Sequence, residues 1–349
     1  MRIVELEALR GFAAFYIFLH HTFTKYIPCN IYFSKLFIFG QEAVMLFFLL
    51  SGYVIALSQF KNNYQFNIYF LHRFLRIYSV VIPAILFSYI IYSHIHESWI
   101  VDIKQLILNL SMMQDKPELK PGVIVGPIFH NEPLWSLSYE WWFYMIFFVH
   151  YKIIIFFKSQ TKLYILSSFF ISLVGIISYK YFYNQVSLFL IYYFIWASGA
   201  SLYLIHKNDD IQKKSCYFKI LIACYFFLTA IYFYIFVYNE SISHLINHPI
   251  LELRHYLSAI ILIIMSQVYK KYLNFDVSNF KLIKIFTKFA SISFAFYVIH
   301  YPVMLFFDSL DVNGFLKILI MFIVSVIISW IIEISFFKNY IRKNLIGNK

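Results

Sequence analysis

Two adjacent histidines, His20 and His21, follow Arg10 in a run that is otherwise almost wholly apolar. Imidazole titrates near neutrality, so it exchanges protons at physiological pH. If the run is helical, His21 lies roughly 16 Å beyond Arg10 along the axis. Successive helical residues point about 100° apart, so one of the two rings faces the interior, and spacing alone does not say which. A single buried histidine is ordinarily a packing residue; a pair in mid-segment reads as proton chemistry. Glu140, within Leu134-Trp-Ser-Leu-Ser-Tyr139-Glu140-Trp-Trp142, lies roughly 9 Å into another apolar segment. That depth comes within a turn of His21, where a carboxylate can orient an imidazole base. A tie from Glu140 to a neighbouring Ser, Tyr or Arg is the equal alternative. Glu42 reaches the same depth, and there a structural tie is favoured. His300, in Tyr297-Val-Ile-His300-Tyr301-Pro302, could assist at an outer hydroxyl acceptor, with packing at the proline kink the stronger reading.

Arg73 and Arg76 stand three apart in His72-Arg73-Phe-Leu-Arg76-Ile-Tyr78, at the start of a third apolar segment. Residues at that spacing share a helical face, and two guanidiniums side by side match the oxygens of a phosphate. Such cations also flank spans for topological reasons and touch lipid headgroups. Together with the histidines they point to an anionic cytosolic ligand at the inner mouth of one cavity. Cys29, Cys216 and Cys224 are too scattered for a disulfide framework or for metal ligation, and no metal is expected.

The scaffold for these residues follows from composition. Of 349 residues, 61% are apolar, 22% aromatic and only 13% charged, with mean hydropathy +0.70. Soluble domains carry charge at about a quarter of positions, so a bilayer must cover the apolar excess. A soluble enzyme, a disordered chain and a nucleic-acid-binding domain are excluded. The expected fold is all-α, a polytopic bundle of ten transmembrane helices, each with the roughly 20 apolar residues that a span needs. The segments are Leu6–Ile27, Leu36–Ser58, Ile68–Ser93, Leu134–Phe157, Leu163–Phe182, Val186–Ile205, Tyr217–Tyr238, His255–Tyr269, Ile285–Phe307 and Phe315–Phe337. With the N-terminus inside, 21 of the 29 Lys and Arg fall on the cytoplasmic side and 8 outside. That is the expected bias, so both termini are expected to be cytoplasmic. The net charge of +12 is then mostly a topology signal. No small-residue cleavage site follows the first segment, which is expected to stay as a span. The connection His94–Pro133 holds Pro117, Pro121, Gly122, Gly126, Pro127 and Pro133. It reads as an irregular outer loop, long enough to cover the mouth of a site. Residues 1–349 read as a single transmembrane domain, with no soluble C-terminal domain.

Five motifs recur in one order along the chain: Leu9-Arg10-Gly-Phe-Ala-Ala14 with His21; Phe47-Phe48-Leu-Leu-Ser51-Gly52; Arg73-x-x-Arg76-Ile-Tyr78; Leu134-Trp135-Ser136-Leu-Ser-Tyr-Glu140; and Tyr297-Val-Ile-His300-Tyr-Pro302. In this the chain resembles acyltransferase family 3, integral membrane proteins that O-acylate surface carbohydrates. The resemblance implies a ten-helix core, acetyl-CoA or a related thioester as donor, and a glycan hydroxyl as acceptor. Arg10 and His21 match the family's Arg–His pair, which selects His21 over His20, and Arg73 and Arg76 match its Arg-x-x-Arg motif. Many relatives carry an acidic residue just before the Phe-Phe pair, where this chain has Met45. Glu42, one turn away, is the candidate substitute. Some relatives add a soluble esterase-like C-terminal domain, which this chain is expected to lack.

The expected function is a membrane O-acyltransferase, foremost an O-acetyltransferase, in the bacterial plasma (inner) membrane. It would move an acyl group from cytosolic acyl-CoA to a hydroxyl of a surface polysaccharide or lipid-linked glycan. His21 is the expected general base, with an acyl-histidine intermediate as the less favoured variant. Glu140 orients that imidazole or positions the acceptor, and Arg10 completes the catalytic set. Arg73 and Arg76 hold the phosphates of acyl-CoA, and Glu42, Tyr139 and His300 are the acceptor-side candidates. Acyl-CoA is a co-substrate and no cofactor is permanently bound. The partners are the glycan acceptor and membrane lipids, with no nucleic acid. The rival from another class is a sugar or glycolipid transporter using His21 and Glu140 as a proton relay. Against it stand the arginine pair and the lack of inverted-repeat halves.

Overall fold

Long apolar stretches free of glycine and proline runs form helices wherever lipid removes water as an alternative partner for the backbone. The computed structural model describes residues 3–27, 35–157, 160–238, 247–272, 280–310 and 314–335. Among these residues lie twelve α-helices: α1 (Ile3–Tyr26), α2 (Gly40–Asn62), α3 (Phe66–His96), α4 (Ile103–Leu110), α5 (Leu134–Ile154), α6 (Gln160–Tyr181), α7 (Gln185–Lys207), α8 (Ile211–Tyr232), α9 (Ile250–Tyr272), α10 (Lys281–Phe289), α11 (Ser293–Asp308) and α12 (Gly314–Trp330). No strand occurs among them, only one isolated bridge, Gln114 to Val125. Cys29 and the C-terminal cations Lys338, Arg342, Lys343 and Lys349 lie outside the described residues.

Seven helical stretches are long and apolar enough to cross a bilayer: α2, α3, α6, α7, α8 with its continuation to Val237, α9 over Ile250–Tyr269, and α12 continued to Ser335. The protein is therefore a multi-pass membrane protein with an all-helical fold. The expected ninth span is not one straight helix. It is α10 and α11, bent by 75° at the break between them, and counted as one it makes an eighth. The other two expected spans, α1 and α5, have 24 and 21 residues. They fall short in apolarity because they carry Arg10, His20 and His21, and Glu140, His150 and Lys152. The expected eighth span also began too late. Helix α9 starts at Ile250, and its first turns hold Glu252, Arg254 and His255, which mimic a loop in composition. Each is paired inside the protein: Glu252 with Tyr232 and His248, Arg254 with Glu42, and His255 with Tyr192.

Helix α7 is the hub, packed against α2, α5, α6 and α8, while α1, α3, α10, α11 and α12 form a second group joined to it through α2 and through the packing of α3 on α5. Small residues let the two groups meet closely, as they do between helices in membranes generally. A Cβ on Gly52 would stand 2.0 Å from the Trp196 carbonyl oxygen, and one on Gly199 1.9 Å from that of Leu49. The Ser51-Gly52 motif thus sets the spacing of α2 and α7.

The connection over residues 97–133 is not the open, irregular loop its prolines and glycines suggested. It contains α4, capped by Asp102 on the Gln105 N–H, and its second half is sunk into the bundle. Lys120 is 2% exposed and pairs with the fully buried Asp115 at 3.0 Å. The Lys120 ammonium is enclosed by Trp135, Tyr139 and Tyr192, at 4.6, 4.9 and 5.1 Å from the ring centroids. Burial of an ion pair is tolerated when every charge finds a partner, and here aromatic faces complete the set.

Candidate active site

Two polar clusters lie along α1, one around the histidines and one around Arg10. At the first, the rings of His20 and His21 touch edge to face at 5.0 Å. His21 also meets two residues of α11, His300 at 5.4 Å and Tyr301 edge-on at 5.2 Å. The structure separates the neighbours that spacing could not. The Nδ1–H of His20 donates to the Phe37 carbonyl, and its ring is wedged against Gly40, where a Cβ would stand 2.2 Å from Cδ2. The His21 nitrogens make no hydrogen bond with any described residue. His300 is fully buried; its Nδ1 bonds the Phe296 carbonyl at 3.1 Å and its Nε2 has no partner among the described residues. The 97–133 connection reaches this cluster through Glu132. The Tyr301 hydroxyl and the Glu132 carboxylate interact electrostatically, and Lys116 reaches the same carboxylate at 2.5 Å. Burial alone would raise the Glu132 carboxyl; the Lys116 ammonium and the Tyr301 hydroxyl outweigh it and hold it below the ordinary carboxylate range.

The second cluster brings together α1, α2, α3, α5 and the end of α12. Glu140 accepts from Ser51 at 2.8 Å and from Tyr144 one turn along its own helix. It makes no hydrogen bond to His21, so the expected base–orienter pair is not formed; Ser51 and Tyr144 take the carboxylate instead. Arg73 lies 5.6 Å from the centroids of both Tyr69 and Tyr144, and its Nε is buried without a partner among the described residues. Arg76 does not stand free beside it. Its Nη1 donates to Glu333 at 2.6 Å, and Glu333, 1% exposed, also accepts the Ala295 N–H at 3.0 Å. The expected two-armed clamp is thus divided, because a carboxylate from the far end of the chain claims one arm. Arg10 faces this cluster, surrounded by Arg76, Glu140, Tyr144 and Glu333. It makes no salt bridge with a described residue.

Of the acceptor-side candidates, only His300 lies against His21. Glu42 pairs with Arg254 of α9. Tyr139 is fully buried and donates to Asp115 at 2.5 Å, which ties α5 to the 97–133 connection. Among the described residues no group of three His, Cys, Asp or Glu side chains is placed to hold a metal ion. Four contributors escaped the sequence reading: Glu333, Tyr301, Glu132 and Lys116. Glu333 was visible as an acidic residue in an apolar segment, which is itself a sign of function or pairing. Tyr301 sits beside His300 within its motif, whereas Lys116 and Glu132 carry no local signal.

Comparison with known proteins places this geometry in a context. A family described as an acyltransferase domain (acyltransferase family 3) matches residues 3–334. The acyltransferase MdmB of Streptomyces mycarofaciens is 30% identical over 165 residues, covering 44% of this chain and 40% of the relative. The match thus spans two-fifths of that relative's length. No solved structure gives a significant match.

Proposed function

This chain belongs to the acyltransferase domain family matched over residues 3–334, and from that premise we propose an O-acyltransferase, foremost an O-acetyltransferase, of the bacterial inner membrane. It takes its acyl group from cytosolic acyl-CoA and delivers it to a hydroxyl of a surface polysaccharide or lipid-linked glycan. All ten long segments cross, α1 and α5 included, and both termini are cytoplasmic. The observation that carries the reading is His21: an imidazole whose nitrogens make no hydrogen bond with a described residue, in ring contact with His300 and Tyr301. It lies on the same helix as an arginine cluster, roughly 16 Å away by helical rise.

In this reading the donor phosphates sit against Arg73 and Arg10, which make no salt bridge with a described residue, while Arg76 holds α3 to α12 through Glu333. The pantetheine arm runs along α1 toward the histidines. His21 removes the proton from the acceptor hydroxyl as its oxygen attacks the thioester carbonyl. The new C–O bond forms, the C–S bond breaks, and the proton passes from His21 to the departing thiolate. Glu140, fixed by Ser51 and Tyr144, neutralises charge among the arginines and so belongs to the donor side. Purified protein supplied with acetyl-CoA and candidate glycans tests this directly. Release of free CoA that depends on the glycan, with acylated glycan as product, is the expected outcome. Acetyl-CoA left unconsumed with every acceptor would favour the transport reading.

A further inference from the structure

A groove of about 380 Å³ opens between α1, α2 and α9, within the size range of small-molecule sites. Its walls include Ala13, Leu46, Leu257 and Ser258, and it holds one charged pair, Glu42 with Arg254. Leu257 and Ile261 at its rim are 45% and 57% exposed, and in a membrane that face meets lipid. Glu42 uses only Oε1 on Arg254. Its Oε2 is buried with no hydrogen-bond partner among the described residues. A carboxylate oxygen can only accept, so a ligand bearing a hydroxyl is what this position can satisfy. The charged pair also lies beside the chemistry. Gly40, two residues before Glu42, packs under the His20 ring, Glu42 and Arg254 are among the charges around His20, and His20 touches His21.

We propose that this groove seats the hydrocarbon chain of a lipid-linked acceptor, with Glu42 taking a hydroxyl of its polar end next to the histidines. The inference rests on the acyl-transfer reading and names its acceptor class. A lipid-borne hydroxyl enters sideways from the bilayer along α1 and α9 and needs no path through the 97–133 connection.

The test uses the full-length protein in phosphatidylcholine nanodiscs and a dodecyl glucoside carrying a diazirine in its chain. Leu46, Leu257 and Ile261 should be labelled about tenfold above Phe226 and Phe227, equally lipid-facing residues of α8, a preference of roughly 1.4 kcal/mol. Dodecyl glucoside should displace the label, and methyl glucoside should not. Ser258→Phe, which fills the groove, should remove the excess while leaving transfer to a water-soluble glycoside intact. Label that merely follows exposure, or that extra phosphatidylcholine displaces as well, would mark a seat for bulk lipid only and overturn the proposal. Equal loss of transfer to soluble and dodecyl glycosides in Ser258→Phe would also overturn it. Specific labelling without transfer to any acceptor would support the groove and contradict the acyl-transfer reading alone.

Discussion

His20 and His21 are chemically identical, but their surroundings differ, and the proposed mechanism gives them different work. His20 is tied to the Phe37 carbonyl and pressed on Gly40, whereas His21, beside His300 and Tyr301, makes no hydrogen bond with a described residue. A positioned general base contributes about 10²–10⁴-fold, so His21→Ala should lower turnover by that factor with acyl-CoA binding retained. His20→Ala should cost packing and stability first, read as a lower thermal transition with turnover much less affected. The arginines divide in a parallel way. Arg73→Ala should raise the KM for acyl-CoA, losing a charge-assisted bond worth about 1.5–3 kcal/mol, and Arg73→Lys should restore only part of it. Arg76→Ala leaves Glu333 buried and unpaired, which typically costs about 3–5 kcal/mol, so its first effect is on folded yield. Replacing both residues, as Arg76→Met with Glu333→Leu, should recover the yield. Helical spacing was enough to put Arg73 and Arg76 on one face. It could not show that Glu333, 257 residues along the chain, would claim one of them.

Helices α2 and α7 meet through backbone, not side chains, at Gly52 and Gly199. An alanine at either position would drive a methyl to about 2 Å from a carbonyl oxygen, so Gly52→Ala and Gly199→Ala should each reduce the amount of folded protein in detergent, the doubly substituted chain most. The 97–133 connection depends instead on charge. Glu132 has a folded-state pKa below its ordinary value, so its stabilisation is complete above about 4.5, the ordinary value, and fades as pH falls through the depressed one. Hydrogen exchange of that connection should therefore speed up under acid more in wild type than in Glu132→Gln, which already lacks the charge. Element positions were largely legible because runs of some twenty apolar residues have few alternatives to a helix in lipid. The misreadings fall where polarity is misleading. Glu252, Arg254 and His255 disguised the first turns of α9, and the prolines and glycines of the 97–133 connection disguised α4, although Asp102 followed by Gln105 was a usable helix-start signal.

Across the whole molecule, the proposed direction of transfer depends on the proposed orientation, and that rests on charge. The cytoplasmic assignment places 21 of 29 Lys and Arg inside. Two of the cations assigned outside, Lys116 and Lys120, are neutralised in ion pairs and so weigh little against it. A cysteine introduced near Lys349 should be labelled by membrane-impermeant reagent only after the cells are opened, and one at Ile100, 83% exposed at the far end of α3, from intact cells. The reverse pattern would place the arginine cluster on the wrong side for cytosolic acyl-CoA. The sequence motifs contain Arg10, His21, Arg73, Arg76, Glu140 and His300; the contacts that divide them into one cluster around Arg10 and another around His21 arise only from tertiary packing. The central claim is that His21 moves the proton during acyl transfer, and it is tested by the rate of free thiol release from acetyl-CoA in the presence of a glycan acceptor. Wild type and His21→Ala are compared after both have shown the same thermal transition and the same Kd for CoA. The account predicts glycan-dependent release by wild type and a rate about 10²-fold or more lower in the variant. Equal rates in the two folded proteins would contradict it.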